Sequence, residues 1–564
     1  MKKKTVGLAL GLLALAAAAT GCGQKAGSET AAGSENAAGS AAESTAAAGT
    51  GAANIDTTGF LQLAGDTQLN TVDPEQTTEF FAVPLNIFDR LVEVETDADG
   101  NSKLVPSLAD DWDISPDGLT YTFTLHPDVK YTNGNALTSA DVLYTFNRLL
   151  SYSKSKNADF VDQIKGAEEL MAGSIDTLEG TGFETIDDLN FKVTLKEPYA
   201  AFLACLSTPQ VSILDSEATE AAGDDFGLVP EKTIGTGAFK LESWIPGSDY
   251  ILTRNDEYWG GASELPGIWF KSVKDADTQR MMFEKGELDI LDLDNSVSQM
   301  EYFVNSPDYK DQIVSGNRLG IYYYSINEGL EPFSDVRVRK ALQMAVDRQA
   351  ILDALYMGKG HVENGIVPTG AIGHNADLPE IKYDPEGAKA LLAEAGYPNG
   401  FDMEIAESTA ASDTSKQLDQ IMQSMFQEIG INCQIKQYDD ATFYDVRSTG
   451  ELPMYGTSWS ADFNDPDNFI YTFFGTEANA KNRSFNYYDT DAIARVAAAR
   501  SIVNEDERLK EYNALEEKIV QEDAAWIPLF SKEHLFVVNP QVKGFKVSWN
   551  GWTDNQYHDV SKAQ

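Results

Sequence analysis

The chain has 564 residues, which is too long for one hydrophobic core and indicates two or three globular domains. Its formal net charge of −45 at pH 7 excludes nucleic acid and anionic lipid headgroups as electrostatic partners, because like charges repel. Three cysteines in the whole chain exclude a small scaffold that is held together by disulfides.

Residues 1–22 have the pattern of a secretory signal. Lysines at 2–4 precede an uncharged apolar run at 6–19, which is too short to cross a bilayer as a helix. Residues 19–22 read ATGC and resemble a bacterial lipobox, in which the cysteine receives lipid and becomes the new N-terminus. An ordinary signal with cleavage before Cys22 is the alternative. We expect Cys22 to anchor the protein to the outer face of the cell membrane, in an extracellular or periplasmic location.

Residues 23–55 contain no aromatic side chain and consist mainly of alanine, glycine, serine and other small or polar residues. Such a segment buries too little apolar surface to offset the entropy of ordering, so we predict a disordered tether. The globular body would then span residues 56–564.

The first part of the body is predicted to be rich in β-strands. A hairpin is indicated at 112–125, where SPDG forms the turn and the apolar residues after it alternate with polar ones. Thr138 and Ser139 are predicted to cap a helix with one apolar face. Residues 97–101 resemble the start of a calcium-binding loop, but the later glycine and glutamate are missing, so we interpret them as a turn.

The region 316–530 changes to an α/β pattern. Asp384-Pro385 and Gly396 have the sequence of a helix with an N-cap, a first-turn proline and a C-terminal glycine. Alternating apolar residues at 401–405 and 431–435 flank another amphipathic helix, which predicts a parallel βαβ unit. A short helix at 441–448 should then lead to a strand at 454–457.

Common catalytic and metal-binding motifs are missing from the sequence. It contains no phosphate-binding loop, nucleophile elbow, HExxH or CxxC motif, and its five histidines do not have metal-ligand spacing. We therefore predict no enzyme activity, no catalytic residues, no cofactor and no metal site. Cys205 and Cys433 lie in apolar sequence, far apart along the chain, and are predicted to be buried free thiols.

Five long stretches, spread over nearly the whole body, resemble the solute-binding proteins of peptide ABC transporters, the oligopeptide- and dipeptide-binding family. They are LVPSLADDWDISPDGLTYTFTLHPDVKYTNGNALTSADV from Leu104, IGTGAFKLESWIPG from Ile234, SINEGLEPFSDVRVRKALQMAVDR from Ser325, YDPEGAKALLAEAGYPNGF from Tyr383 and SWSADFNDPDNF from Ser458. Their order along the chain is that of the family. The lipobox and the tether are similar to those of the family's lipoprotein members.

The resemblance implies an α/β, two-lobed fold that is periplasmic-binding-protein-like, of type II and of the large peptide-binding class, with an extra subdomain in lobe I. Hinge strands would join the lobes, which would close over a ligand. The implied parts are lobe I at 56–95, its inserted subdomain at 96–229, lobe I again at 230–315, lobe II at 316–530 and a C-terminal return to lobe I at 531–564.

The resemblance also implies how lobe II would bind a ligand. In that family the aspartate of a W-x-x-D pattern receives the ammonium group of the peptide, and this residue is Asp462 here. The backbone of Ser458, Trp459 and Ser460 would pair with an extended peptide, as in β-strand addition. These residues follow the strand at 454–457, and ligands in open α/β sheets lie at the carboxyl ends of strands. Two alternatives stay open: Asp462 as a cap or loop acid, and Trp459 as a core residue.

On the lobe I side, Thr77, Thr78 and Glu79 occupy the family's ligand-contact segment. The chain departs from the family in carboxylate recognition. Some oligopeptide binders have an arginine where this chain has Gly456, and dipeptide binders use an arginine in a loop that corresponds to 407–416, which has none. Peptide length therefore stays open, and so does binding of another solute such as an oligosaccharide or a metal chelate.

These observations predict the substrate-binding component of an ABC importer, which would deliver peptides to a cognate permease and its ATPase subunits. We expect a monomer that contacts the membrane only through its lipid anchor and does not bind nucleic acid. Sensing of peptide pheromones is an alternative with the same fold. A surface hydrolase is a third hypothesis.

Overall fold

The computed structural model describes residues 55–65, 69–78, 80–96, 102–244, 247–294, 296–549 and 554–563. The expected signal with Cys22, nearly all of the tether, Glu79 and the turn at 97–101 lie outside the described residues. Within these ranges, none of the helices combines the length and apolar character that a membrane crossing requires.

The described residues form a mixed α/β structure. The strands are β1 (Leu61–Gly65), β2 (Val92–Thr96), β3 (Ser102–Pro106), β4 (Ala109–Ile114), β5 (Thr120–Leu125), β6 (Phe183–Thr185), β7 (Asn190–Thr194), β8 (Phe239–Trp244), β9 (Tyr250–Arg254), β10 (Gly267–Ser272), β11 (Ile290–Asp292), β12 (Ile313–Asn317), β13 (Gly320–Ile326), β14 (Gly360–Val362), β15 (Asp402–Ser408), β16 (Asn432–Tyr438), β17 (Met454–Ser460), β18 (Trp526–Val538), β19 (Val542–Lys543) and β20 (Ser561–Lys562). The α-helices are α1 (Pro84–Ile87), α2 (Ser139–Ser151), α3 (Ala167–Met171), α4 (Phe202–Leu206), α5 (Ser216–Ala222), α6 (Ala276–Glu284), α7 (Val297–Asn305), α8 (Val336–Met344), α9 (Arg348–Tyr356), α10 (Pro385–Glu394), α11 (Asp413–Glu428), α12 (Asp440–Ser448), α13 (Pro466–Phe474), α14 (Glu477–Asn482), α15 (Thr490–Ala499) and α16 (Glu505–Glu516).

A four-stranded sheet combines distant parts of the chain. Its order is β1-β10-β9-β8, with β1 parallel to β10 and the other pairs antiparallel. Its hydrophobic core draws buried residues from separated regions of the sequence, such as Leu63, Leu252 and Val560. Leu214, Ala222 and Phe226 also belong to this core, although they lie in the range predicted for the inserted subdomain.

The range 96–229, which is predicted to be an inserted subdomain, contains a sheet of its own and most of a second hydrophobic core. Its sheet has the order β4-β5-β7-β6, and all neighbours are antiparallel. Tyr121, Phe123 and Leu125 are buried on β5 while the threonines between them are less so, which confirms the predicted hairpin. The helix start is confirmed as well, because Thr138 and Asp141 form a capping box at α2.

The predicted βαβ unit is present in the α/β region. β15 and β16 pair in parallel, with Asp402 opposite Asn432, and α11 connects them. Asp384 caps α10 by accepting a hydrogen bond from the N–H of Gly387 at 2.8 Å. Gly396 follows that helix with a φ of +98°, a conformation that favours glycine.

The long strand β18 lies at the centre of a six-stranded sheet. Its first half pairs with β13 and β14 from the expected lobe II, and its second half pairs with β11 and β12. β18 therefore passes from one half of the molecule to the other. The structure thus contains a strand of the kind that the two-lobed fold uses as a hinge, while the numbered lobe boundaries stay predictions.

Both cysteines of the body are buried. Cys205 lies on α4 and Cys433 on β16, and neither forms a disulfide. Burial raises the pKa of the Cys205 thiol well above its ordinary value and that of Cys433 to about 12. Such thiols stay protonated at neutral pH and behave as small apolar core residues.

Candidate functional site

Ser458, Trp459 and Ser460 lie on β17 and not after it. The strand continues three residues beyond the predicted end at Thr457. The prediction that these three residues follow the strand is therefore wrong, and β17 pairs antiparallel with β13. The alternation at 454–457 could not show where the strand ends, because Ser458 and Ser460 carry small polar side chains that also suit a loop.

β17 lies at an edge of its sheet, with β13 as its strand partner among the described residues. The N–H of Ala461 donates to the C=O of Leu319 at 2.8 Å, so the odd-numbered residues of β17 face β13. The N–H and C=O of Ser458 and Ser460 consequently face the opposite, open edge. An extended chain could pair with those groups. The backbone of Trp459 faces β13, which leaves its indole for a ligand.

Asp462 follows β17 in the loop that leads to α13. Its N–H donates to Oδ1 of Asn468 at 3.1 Å, and its Oδ2 accepts a hydrogen bond from Nδ2 of the same residue at 3.2 Å. Burial raises the pKa of the Asp462 carboxyl, the hydrogen bond from Asn468 opposes this, and the charge of Asp159 adds to the rise. Among the described residues, no lysine or arginine forms an ion pair with it.

The alternative role of Asp462 as a helix cap is not observed, because Asp465 is the N-cap of α13. Asp462 is a half-buried loop acid whose hydrogen-bond donors are neutral. A carboxylate in such a place is less stable than one in water unless a cation approaches it. The ammonium group of a ligand could supply that charge.

The side chain of Trp459 is held in place by its neighbours but is not fully buried. Its ring packs edge-on against Phe473 with 5.6 Å between centroids, and its Nε1 donates to Oδ1 of Asn468 at 3.1 Å. The side chain is nevertheless only half-buried. Asn468 therefore orients both Trp459 and Asp462, a role that sequence reasoning missed. The only signal was its place in the first turn of a helix that follows the W-x-x-D pattern.

On the opposite side, Thr77 and Thr78 belong to a segment that is attached to the inserted subdomain. Nδ2 of Asn157 donates to the C=O of Thr77 at 2.8 Å. Thr77 is half-buried and Thr78 is exposed, while Glu79 lies outside the described residues. No sequence pattern indicated this role of Asn157.

A buried ion-pair group fixes the start of the same segment. Nη2 of Arg148 lies 2.7 Å from Oδ2 of Asp73, and its Nη1 also pairs with Glu75. Burial raises the pKa of Glu75 well above its ordinary value, although the charge of Arg148 opposes the shift. The segment before Thr77 is thus held by charged groups that are expensive to separate.

The two sides of the predicted site meet near Asp159. This residue lies in a short helical turn directly after Asn157, and its charge acts on the carboxyl of Asp462. Phe463 packs against the hydrophobic core of the inserted subdomain, to which Phe160 also belongs. The loop with Asp462 therefore lies against the subdomain that carries Asn157.

Further contacts join the inserted subdomain to the α/β region. The hydroxyl of Tyr199 donates to Oδ2 of Asp467 at 3.0 Å, and Nε of Arg500 lies 3.0 Å from Oδ1 of the same carboxylate. The guanidinium of Arg500 also lies 4.6 Å from the centroid of the Tyr199 ring. Burial raises the pKa of Asp467, and Arg500 opposes that shift. These contacts join residues far apart in sequence.

Asp465 and Arg508 form a second buried pair beside the site. Nη1 of Arg508 lies 2.8 Å from Oδ1 of Asp465, and Nη2 lies 2.8 Å from Oδ2. Asp465 also accepts the N–H of Asp467 at 2.9 Å. The pair therefore fixes the loop between Asp462 and α13 at its second end.

Gly456 explains one departure from the family pattern. A Cβ atom added there would lie 2.6 Å from the ring of Tyr324. Tyr324 is buried and donates its hydroxyl hydrogen to the carboxylate of Asp419. The ring is thus held in place and excludes a larger residue at 456, including the arginine of some oligopeptide binders.

We expect Gly456→Ala to lower the free energy of unfolding by about 1–3 kcal/mol, because the new methyl group overlaps a fixed ring. Urea unfolding followed by tryptophan fluorescence measures the change. Ser458→Ala on the same strand is the matched control and should change the free energy by less than about 0.5 kcal/mol, since Ser458 is exposed. Equal stability of Gly456→Ala and this control would contradict the clash.

One group of possible metal ligands occurs among the described residues. Asp292, Asp294 and His534 place their ligand atoms within 4.8 Å of one another. Nζ of Lys532 lies 2.7 Å from Asp294, and Nε2 of His534 lies 3.0 Å from Asp292. The lysine already places positive charge in the group, which we interpret as an ion-pair network where β11 meets β18.

Comparison with known proteins gives a consistent result. The family model described as bacterial extracellular solute-binding proteins, family 5 Middle, matches residues 103–481. Heme-binding protein A of Haemophilus influenzae is 30% identical over 84% of this chain and 87% of its own length. A dipeptide-binding protein of Escherichia coli is 28% identical over 83% of this chain and 88% of its own.

A solved structure shows the same architecture. The ABC transporter-associated periplasmic binding protein DppA from Helicobacter pylori, in complex with the peptide STSA, has a TM-score of 0.67 and 25% identity. The match covers 90% of this chain and 98% of that one. The architecture of the chain is therefore the two-lobed, mixed α/β fold that the sequence predicted.

Proposed function

The chain belongs to the bacterial extracellular solute-binding proteins of family 5, and from this we propose that it is the substrate-binding component of an ABC importer. It captures peptides in the cleft between two lobes and delivers them to a membrane permease with ATPase subunits. Relatives named as dipeptide-binding proteins and a structural relative with bound peptide support this function.

The peptide assignment rests on the carboxylate of Asp462. This group has no cationic partner among the described residues and lies beside the open edge of β17. Asp462 receives the ammonium group of the peptide. The outward N–H and C=O groups of Ser458 and Ser460 pair with its backbone, independently of side-chain identity. Trp459 contributes the exposed part of its indole. Together these groups bind an extended peptide at its N-terminal end.

On the other side of the cleft, Thr77, Thr78 and Glu79 contact the peptide from lobe I. Support comes from Asn157, which holds Thr77, and from Asp159 two residues later, whose charge reaches Asp462. A peptide ammonium between the lobes would reduce the repulsion between these acids. This favours the closed arrangement when ligand is present.

Closure follows from differential affinity. A ligand that contacts both lobes binds the closed state more tightly and shifts the population toward it. The lobes rotate about the long strand β18, which pairs with strands of both halves. The permease then recognises the closed form.

The remaining parts of the assignment concern location and partners. We propose that lipid on Cys22 holds the protein at the outer face of the membrane, that residues 23–55 act as a tether, and that the body is monomeric. Its family consists of solute-binding proteins, and we propose that the site holds its ligand through backbone and charge contacts without converting it.

Mass spectrometry of solute released from the purified, denatured protein tests this function. We expect intact peptides, and X-ray scattering should show a smaller radius of gyration when a peptide identified in this way is added back. Recovery of turnover products from a peptide library would instead indicate a hydrolase. Recovery of an oligosaccharide would overturn the peptide assignment, while gene neighbours without permease and ATPase subunits would favour pheromone sensing.

Heme is a second candidate because a relative at 30% identity is named a heme-binding protein. A metal chelate of this size would occupy the same interlobe cleft. Titration with heme, followed by the shift of its Soret absorption, separates the two candidates. We expect no saturable shift, and a stoichiometric complex that excludes peptide would favour heme.

A further inference from the structure

A peptide has a carboxylate as well as an ammonium group, and the arginines that the family resemblance implies for it at 456 and in 407–416 are absent here. Gly456 cannot hold one because of Tyr324, and residues 407–416 contain one lysine and no arginine. The chain has 88 acidic residues against 43 basic ones, so a cation without an acidic partner is unusual. One such cation lies beside β17.

Arg483 lies beside the site residue Trp459. Its guanidinium carbon is 5.7 Å from the centroid of the Trp459 ring and 5.2 Å from that of Phe473. The C=O of Arg483 accepts a hydrogen bond from the hydroxyl of Tyr455 at 2.9 Å, which ties the segment to β17. Its Nη1 donates to the neutral amide of Asn482 at 3.1 Å. The guanidinium of Arg483 has no acidic partner among the described residues.

Arg447 lies next to Arg483. Its C=O accepts the hydroxyl of Ser484, and its guanidinium is 4.7 Å from the centroid of the Tyr444 ring. Its Nε is buried and lacks a hydrogen-bond partner. Burial lowers the pKa of Arg483, and the charge of Arg447 acts in the same direction. The guanidinium groups of Arg483 and Arg447 thus lie close together in a partly buried environment.

The other arginines that the structure describes have partners. Arg348 donates to backbone carbonyls, such as that of Glu363 at 2.8 Å. The arginines that pair with carboxylates are Arg90, Arg148, Arg254, Arg280, Arg318, Arg337, Arg339, Arg495, Arg500 and Arg508. Three arginines, Arg348, Arg447 and Arg483, thus lack a carboxylate partner among the described residues. Of these, Arg483 contacts Trp459 on β17, and Arg447 lies beside it.

The separation between Trp459 and Asp462 limits which ligand fits. Trp459 precedes Asp462 by three residues, which span at most about 10 Å at roughly 3.3 Å per extended residue. An extended peptide has nearly the same rise, so about three residues bring its C-terminus from Asp462 to the level of Trp459. Trp459 and Tyr455 lie on one face of the strand, the face on which Arg483 is held.

We propose that Arg483, with Arg447 beside it, binds a carboxylate of the solute, so that the preferred ligand is a peptide of about three residues with a free C-terminus. This inference rests on the proposed function and names the second anchor of the same site. A planar guanidinium beside an indole suits a carboxylate, because it can donate two parallel hydrogen bonds. The carboxylate could also belong to an acidic side chain.

The test compares random tripeptides with free and with amidated C-termini. Full-length protein that has been freed of its co-purified solute is offered both libraries, and the captured peptides are identified by mass spectrometry. The most enriched sequence is then titrated calorimetrically as acid and as amide. We expect the wild-type protein to bind the acid at least about 10-fold more tightly than the amide.

Arg483→Gln should lower affinity for the acid by about 10- to 100-fold and abolish the preference over the amide. Arg483→Lys should restore part of the preference, because it keeps the charge but not the fork. Arg495→Gln is the matched control, since Arg495 pairs with Glu511 on another surface, and it should behave as wild type. A structural role of Arg483 alone would weaken acid and amide equally.

The outcomes separate the inference from the proposed function. Equal binding of acid and amide by wild type, or an unchanged preference in Arg483→Gln, overturns the inference while peptide capture stands. Capture of amides that contain glutamate over those that contain glutamine, with loss of that preference in Arg483→Gln, assigns the carboxylate to a side chain and overturns the C-terminal assignment. Capture of no tripeptide in either form overturns the inference, and recovery of no peptide of any length from the purified protein overturns the proposed function.

Discussion

Asp462→Asn weakens binding of a peptide with a free ammonium group by about 2–5 kcal/mol, because a partly desolvated charge pair loses one member. Asp462 accepts a hydrogen bond from Asn468 and has no cationic partner among the described residues, so the replacement removes charge without releasing a buried cation. Calorimetry with the peptide recovered from the protein measures the loss. The melting temperature without ligand should change little.

An N-acetylated form of the same peptide is the matched control. It should bind weakly to the wild-type protein and be almost unaffected by Asp462→Asn, since it lacks the positive charge. The pH dependence of peptide affinity gives a second readout. Because the pKa of Asp462 is raised by burial, its carboxylate is protonated at a higher pH than usual, so affinity should fall early as pH decreases. Equal affinity of Asp462→Asn and wild type for the free peptide would remove Asp462 from the site.

Arg508→Met lowers the free energy of unfolding by about 3–5 kcal/mol, because it leaves the buried carboxylate of Asp465 without its bidentate partner. The side chains of Arg508 and Asp465 are only 5% and 4% exposed, so water cannot replace the lost contacts. Urea unfolding gives the difference. The loop with Asp462 is held at this pair, so affinity for peptide should fall as well.

Arg495→Met is the matched control for that change, because its pair with Glu511 is partly exposed and should contribute less than about 1 kcal/mol. The double variant Asp465→Leu with Arg508→Met should recover part of the lost stability, since no charge is left buried alone. A single variant as stable as the Arg495 control would show that the buried pair carries no such penalty.

Local elements could be predicted from the sequence because their signals are local. The capping box at Thr138, the N-cap at Asp384 and the left-handed Gly396 each depend on residues within one helix. The parallel βαβ unit followed from the change between periods of two and 3.6 residues. The family resemblance added the two-lobed architecture, which no local pattern contains.

The site could be predicted only in part, because its geometry depends on contacts between distant segments. The register against β13 decides that Ser458 faces the open edge and that Trp459 does not, and a sequence pattern carries no register. The hydrogen bond from Tyr199 to Asp467 joins residues 268 positions apart. Arg483 lies in a stretch without a motif, so its approach to Trp459 was not foreseeable.

The position of β18 has a consequence for the order in which the molecule can form. This strand is the central one of its sheet and pairs with four others, yet it occupies residues 526–538 of 564. The six-stranded sheet that joins the two halves cannot be completed before residues 526–538 have been synthesised. Late arrival of a central strand gives high contact order and slow folding. A polypeptide that must pass a translocation channel in extended form would benefit from such a delay.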